Sequence, residues 1–270
     1  MSELPRNRFK AGLESGNTQF GLWLGIPDTS VAEMLAGAGF DWLVVDHEHG
    51  PFELRDVMAH LQAMAPYDVA PIVRPVDDNP ALLKKMCDIG AQSFVVPMVD
   101  TAEQAADIVA AVKYPPEGRR GLGTSMARSA RWNTVPEYLQ KANDEIVVIV
   151  QAETTTAIDN LEAIANTDGV DGVFIGPSDL SASMGHVGNA GHPEVVETVS
   201  NGLRTIRAAG KHAGLLCLDQ SMVEHFIASG ANFVGVGVDA LLIGNSARSL
   251  AAKYNSGASD SSDALSLIHI

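Results

Sequence analysis

Cysteine is scarce in this 270-residue chain: Cys87 and Cys217 are the only two, and no CxxC spacing occurs. A disulfide framework and a thiolate zinc site are thereby excluded, and a reducing compartment, the cytoplasm, is the expected location. Basic residues are few as well, 18 against 33 acidic ones, for a formal charge of −15. Such a surface repels nucleic acid and anionic membranes, so neither is expected as a partner, and an anionic substrate has to be met by local arginine or metal. Long apolar runs are missing too. No segment approaches the roughly 18 consecutive apolar residues of a membrane span, and the first ten residues, MSELPRNRFK, have no apolar centre of a signal peptide. No GxGxxG follows any apolar run, which removes the main support for a doubly wound sheet. Residues 255–270, NSGASDSSDALSLIHI, break the preceding pattern and are expected to be a flexible tail beyond a single domain over residues 1–254.

What the chain does have is a repeated alternation. Short apolar runs recur at residues 20–25, 41–46, 70–75, 93–98, 145–153, 171–176, 213–218 and 232–238, each followed by a turn and a helical pattern. Continuous β-branched runs of this kind suit parallel strands buried on both faces, and eight such units predict an α/β fold, the (β/α)8 TIM barrel. The segment DTSVAEMLAGAG shows the helical spacing best: Asp28 or Thr29 can cap its start, Val31, Met34, Leu35 and Ala38 form one face, and Gly39 follows its end. Between the fourth repeat and the fifth strand lie residues 114–144, far longer than the usual connection of about 2 to 6 residues. An insertion on that side of a barrel predicts subunit contacts, hence a homo-oligomer.

Barrel enzymes place their chemistry where strands end. Those positions here are Trp23, the cluster Asp46, His47, Glu48 and His49, then Arg74, Gln151, Glu153, and the turn Gly176, Pro177, Ser178, Asp179. Glu153 and Asp179 close adjacent strands with no lysine or arginine beside them in sequence, an arrangement suited to magnesium or manganese. Helix capping by each carboxylate is the plainer alternative. Arg74 could stabilise a carboxylate or a developing enolate oxygen, or simply pair with a strand-end acid. Gln151, two residues before Glu153, points the same way. The turn can offer the backbone N–H groups of Ser178 and Asp179 to a carboxylate, or be no more than the end of a strand. Within VVDHEHGP, residues 44–51, metal ligation, acid/base work and a polar turn are all open.

GLWLG, VVDHEHGP, VRP, VPMV, YPPEGRRGLGTS, ARSARWN, YLQKAND, VQAET, GVDGVFIGPSDLSASMG and HPEVV together resemble the 4-hydroxy-2-oxoheptane-1,7-dioate aldolase family, which includes 2-keto-3-deoxy sugar-acid aldolases. The likeness runs from about residue 10 to 254. It implies a phosphoenolpyruvate/pyruvate-type barrel and a class II aldolase that joins or cleaves a 2-oxo acid, pyruvate or hydroxypyruvate, and an aldehyde through a metal-bound enolate. The ion would be Mg2+, Mn2+ or Co2+, and the assembly a hexamer of dimers that exchange a terminal helix. The same likeness implies Glu153 and Asp179 as metal ligands and Gln151, Ser178 and Asp179 as holders of the keto acid. It makes Arg74 the transition-state arginine, His49 the general base and Asp88 its acidic support. Trp23, Gly176 and Pro177 complete the substrate site. Asp88 ends a helix, on the opposite face from the strand ends, so a His49–Asp88 dyad requires a neighbouring subunit; Arg120 and Leu122 of the insertion would line that neighbour's site by the same logic. Asp46 either orients His49 or holds water at the metal, or bonds within its own turn, and Glu48 is expected to be structural. His47 has no assigned role. Two rivals differ in class: a Schiff-base aldolase, although no lysine lies in any strand core, and a barrel that binds a 2-oxo acid without turnover.

Overall fold

Every one of the eight apolar runs forms a strand in a computed structural model that describes residues 3–255. They are β1 (Gln19–Leu24), β2 (Trp42–Asp46), β3 (Ala70–Arg74), β4 (Ser93–Val96), β5 (Val147–Ala152), β6 (Gly172–Ile175), β7 (His212–Leu216) and β8 (Phe233–Val238). All pair in parallel in sequence order, and β8 returns to β1, so the sheet is a closed (β/α)8 barrel as the alternation predicts. The helices are α1 (Arg8–Glu14), α2 (Thr29–Ala36), α3 (Leu54–Ala63), α4 (Pro80–Ile89), α5 (Ala102–Val112) and α6 (Tyr138–Lys141), then α7 (Thr155–Asp159), α8 (Leu161–Ala165), α9 (Pro177–Ser183), α10 (Pro193–Ala208), α11 (Val223–Ala228) and α12 (Asp239–Asn255). Among the described residues no helix is long and apolar enough to cross a membrane. Asn255 is the last residue of α12, and the rest of the expected tail lies outside the described residues.

Successive strand side chains point to opposite faces, and both faces are buried. Along β2, Trp42 and Val44 enter the barrel interior with Trp23, Ile72, Ile149, Phe174 and Phe233, while Leu43 and Val45 pack outward against the helices. Room for the interior aromatics comes from glycine: a Cβ on Gly21 would sit 2.0 Å from the Trp42 ring. The bottom of the barrel is closed by α1, which the periodicity does not anticipate. Only Phe9 and Leu13 of its seven residues are buried, too short a stripe to read. Phe9 meets Phe233 edge-on at 5.6 Å between centroids; truncating it to alanine would cost about 3–5 kcal/mol.

The inward face of α2 differs from the expected one. Asp28 caps it, accepting from the N–H of Ser30 at 2.7 Å, but Ala32 and Ala36 are its buried residues and Met34 is 73% exposed. Two alanines one turn apart let the helix axis approach the barrel, and the larger side chains are displaced to its flank and outer side. The helix also ends at Ala36 with Gly37 as C-cap, before Ala38.

Candidate active site

Strand register makes the first contact. Asp46 and Arg74 are Cα partners at the C-terminal ends of β2 and β3. Arg74 donates from Nε to Asp46 Oδ1 at 2.9 Å and from Nη2 to Oδ2 at 2.7 Å, the bidentate fork geometry of a strong pair. Its remaining nitrogen, Nη1, lies 3.0 Å from Glu48 Oε2, and its Cζ is 5.6 Å from the Trp23 ring centroid. Burial works against the guanidinium, yet Asp46, Glu48 and Glu153 hold its pKa above the ordinary value. Asp46 also accepts from the N–H groups of Glu48 and His49, both at 3.2 Å, so it shapes the turn and fixes Arg74. Both plain alternatives, the salt bridge and the turn, are thus present. Asp46 thus reaches His49 through the backbone N–H alone, and both its carboxylate oxygens are engaged by Arg74.

Glu153 follows the end of β5 and is 2% exposed. Its Oε1 accepts from the N–H of Met98 at 2.8 Å, and its Oε2 accepts a short bond from Gln151 Nε2. Met98 holds φ at 56°, a left-handed conformation uncommon for a side-chain-bearing residue, which aims that N–H at the carboxylate. Burial raises the Glu153 pKa to about 7; the two hydrogen bonds oppose the rise, and Asp179 and Glu48 add to it. Glu153 is not a helix cap, since Thr154 does that work by accepting from Ala157 N at 2.9 Å. Asp179 lies in the first turn of α9, whose N-cap is Gly176. That glycine is required: a Cβ there would fall 2.4 Å from Glu153 Oε2. Gln151 Oε1 and Trp23 Nε1 are buried with no hydrogen-bond partner among the described residues. A buried carboxylate pushed up by two others, beside an unpaired acceptor, fits a divalent cation.

These groups open on a cavity of about 450 Å3 lined by Trp23, His49, Arg74, Gln151, Gly176, Pro177, Ser178 and Asp179. Among the described residues no lysine lines it, whereas a Schiff-base reaction would need one. The opposite wall, unanticipated from the sequence, is largely apolar: Phe174, Val196, Leu216, Leu218, Met222 and Phe226. Leu216 ends β7, two residues before its apolar run does, and so escapes a reading of strand ends from the run; Val196 and Phe226 sit inside helices and carry no local signal. Glu48, for which a structural role is expected, turns toward Arg74 with burial raising its pKa, because the turn after β2 redirects it where period-two alternation no longer applies.

His49, His47, Asp88 and Leu122 lie at the edge of these groups or beyond them. The His49 side chain is 68% exposed at the mouth, and Glu48 lies 3.9 Å from its Nε2. His47 Nδ1 is buried with no hydrogen-bond partner among the described residues, and His47 does not line the cavity. Asp88, at the end of α4, accepts from Arg120 Nη2 at 2.8 Å, and its backbone carbonyl accepts from Ser129 N, so it belongs to the insertion side of the barrel and not to this chain's cavity. Leu122, on the same insertion, is 68% exposed and also outside the cavity.

Residues 19–246 match the family model described as HpcH/HpaI aldolase/citrate lyase. A hydroxypyruvate/pyruvate aldolase of Pseudomonas aeruginosa is 51% identical over 256 residues, 95% of this chain and 96% of its own. A 2-keto-3-deoxy-L-rhamnonate aldolase of Klebsiella pneumoniae is 52% identical over 242 residues, covering 90% and 91%. Among solved structures, a HpcH/HpaI aldolase/citrate lyase family protein from Burkholderia cenocepacia superposes with a TM-score of 0.88 at 35% identity, covering 93% of this chain and 100% of that one. With strand order, strand-end chemistry and nearly full-length similarity in agreement, the chain belongs to the HpcH/HpaI aldolase/citrate lyase family and is a carbon–carbon lyase of the aldolase class.

Proposed function

We propose that this protein catalyses reversible, divalent-metal-dependent aldol cleavage and addition between a 2-oxo acid of the pyruvate or hydroxypyruvate type and an aldehyde. The observation that carries the reading is Glu153: a carboxylate buried beside Gln151 and Met98 and raised to about 7 by burial, with Asp179 and Glu48 adding to the rise, while Arg74 is already claimed by Asp46 and Glu48. Glu153 and Asp179 are the residues that would hold Mg2+, Mn2+ or Co2+. When bound, the ion supplies Lewis-acid polarisation of the keto acid.

The chain's own residues supply the rest. Gln151 and the first turn of α9, with Ser178 and Asp179, hold the substrate carboxylate. Arg74, rigid because two carboxylates and the Trp23 face fix its plane, stabilises negative charge on the keto oxygen as the enolate forms. His49 takes the C4 hydroxyl proton during cleavage and returns it during addition, a task suited to an imidazole whose ordinary pKa is about 6.5. The aldehyde lies against the apolar wall. A pocket of this kind excludes one added hydroxyl poorly, which is why pyruvate and hydroxypyruvate are grouped here.

Asp88 supports His49 from a neighbouring subunit in this proposal. A homo-oligomer, a hexamer of dimers exchanging α12, is supported by what the single chain leaves uncovered: of the 17 residues of α12 only Asp239 is buried, and Leu242, Ile243 and Leu250 are exposed. On the insertion, Met126 and Trp132 are exposed, and Arg131, Trp132 and Asn133 hold consecutive positive φ angles. Such a run persists where surrounding structure imposes it. Two buried free thiols suit a reducing cytoplasm.

The test is metal removal. Chelation and dialysis should abolish retro-aldol cleavage, and magnesium, manganese or cobalt should restore it. Full turnover in the metal-free protein would reject the mechanism, and an acceptor screen with the restored enzyme would identify the aldehyde.

A further inference from the structure

The loop joining α9 to α10 carries donors that the aldolase chemistry does not use. His186 N donates to Ser181 O at 2.7 Å, Asn189 N to His186 O at 2.9 Å and His192 N to Asn189 O at 3.0 Å, so consecutive turns fix both histidines relative to α9 and α10. Gly185 and Gly188, at φ 86° and 74°, permit those turns. The two imidazoles stack with centroids 3.6 Å apart and planes 15° from parallel. Glu194, in the first turn of α10, places Oε2 2.9 Å from His186 Nε2. One ligand atom from each of the three residues lies within 4.8 Å of the other two.

We propose that His186, His192 and Glu194 form a second cation site, separate from Glu153 and Asp179, for a borderline divalent transition ion, zinc foremost. Two imidazole nitrogens and one carboxylate are the donor types that zinc takes, at about 2.0–2.2 Å, and a fourth position is left to water. Magnesium and calcium prefer oxygen donors, so the two sites differ in kind: an all-oxygen pair at the strand ends and a nitrogen-rich trio on the loop. Closing on an ion requires the stacked rings to open toward Glu194. Ligation through His192 Nε2 also places its ring proton on Nδ1, giving up the long 3.3 Å bond that Nδ1 now accepts from Glu194 N. That is the loss of one weak helix cap. The return is a loop tied to the start of α10, and since Ala190 and Gly191 of the same loop line the cavity, the ion fixes one side of the active-site wall.

The experiment uses the full chain carrying Glu153→Gln and Asp179→Asn, freed of metal, with zinc as titrant in calorimetry and cobalt absorption as the ligand-field signature. This protein should bind one zinc per chain, excess magnesium should not displace it, and cobalt should show the intense visible bands of low coordination. Two replacements on that background retain the structural roles: His186→Phe preserves the ring stack, and His192→Asn preserves a good N-cap. Each should weaken zinc by at least about tenfold, since even outer partners of a ligand matter that much. Failure of the background protein to bind zinc, or zinc affinity unchanged in either replacement, overturns the site. If the background protein does not fold, the unmodified chain decides by stoichiometry: loss of one zinc ion per chain in His186→Phe supports the site, and an unchanged count overturns it. Turnover enters neither readout, so the outcome is independent of the aldolase reading.

Discussion

Replacing Glu153 by glutamine should make the metal-free protein more stable above pH 7 while abolishing metal binding at the strand ends. Burial raises the folded-state pKa of Glu153 from an ordinary 4.5 to about 7. Below 4.5 both folded and unfolded chains carry the proton, and there is no effect. Between 4.5 and about 7 the unfolded chain has released it and the folded chain still holds it, so rising pH favours unfolding; above about 7 the folded carboxylate is ionised and the full cost is present. That interval corresponds to about 3 kcal/mol. The new amide would remove this cost without a packing defect. Its carbonyl can keep the Met98 N–H, and its NH2 can donate to Gln151 Oε1, now buried without a partner, once the Gln151 amide turns over. Urea unfolding of chelated wild-type and variant proteins from pH 5 to 8 provides the measurement. The difference between the two curves should grow by up to about 3 kcal/mol across that range, in favour of the variant. Parallel curves would show that Glu153 is not held protonated, and would remove the principal reason for placing a cation beside it.

Arg74→Lys keeps the charge but loses the fork that engages Asp46 and Glu48; turnover should fall by roughly 10² or more, with unchanged turnover counting against a role for the guanidinium. His49→Ala and Asp88→Ala should each be inactive alone and recover partial activity when mixed under conditions of subunit exchange, because a hybrid site can draw each intact residue from a different chain; no recovery would refute a shared dyad. Trp132→Glu on the insertion should shift the sedimentation coefficient toward smaller species, and an unaltered value would exclude that surface from the interface.

The barrel was legible because parallel strands buried on both faces must be continuously apolar, and no helix here imitates that. Boundaries were less so: the run ending at Met98 stops as a strand at Val96, where the backbone leaves the extended region to reach Glu153. The inward face of α2 was misread because alanine is chosen there for closeness and not for area, a property of the neighbouring surface. In the site, strand-end residues such as Arg74, Gln151 and Glu153 follow from alternation. Glu48 does not, since it lies in a turn. The apolar wall needed α10 and α11 to be placed in space, and Asp88 is a residue whose proposed purpose lies outside its own chain.

The cavity's two halves come from different stretches of the chain. The polar residues sit at the ends of β2, β3, β5 and β6, whereas the apolar wall, Phe174 of β6 apart, is built from β7, the segment after it, α10 and α11, and the Cys217 thiol there donates to Asp219 O of its own loop. Substitutions in the wall therefore reach the proton-transfer groups through the bound substrate and hardly at all through the protein. A lineage carrying this fold can drift in which aldehyde it accepts, one side chain at a time, while the acid–base balance of the reaction stays where it was.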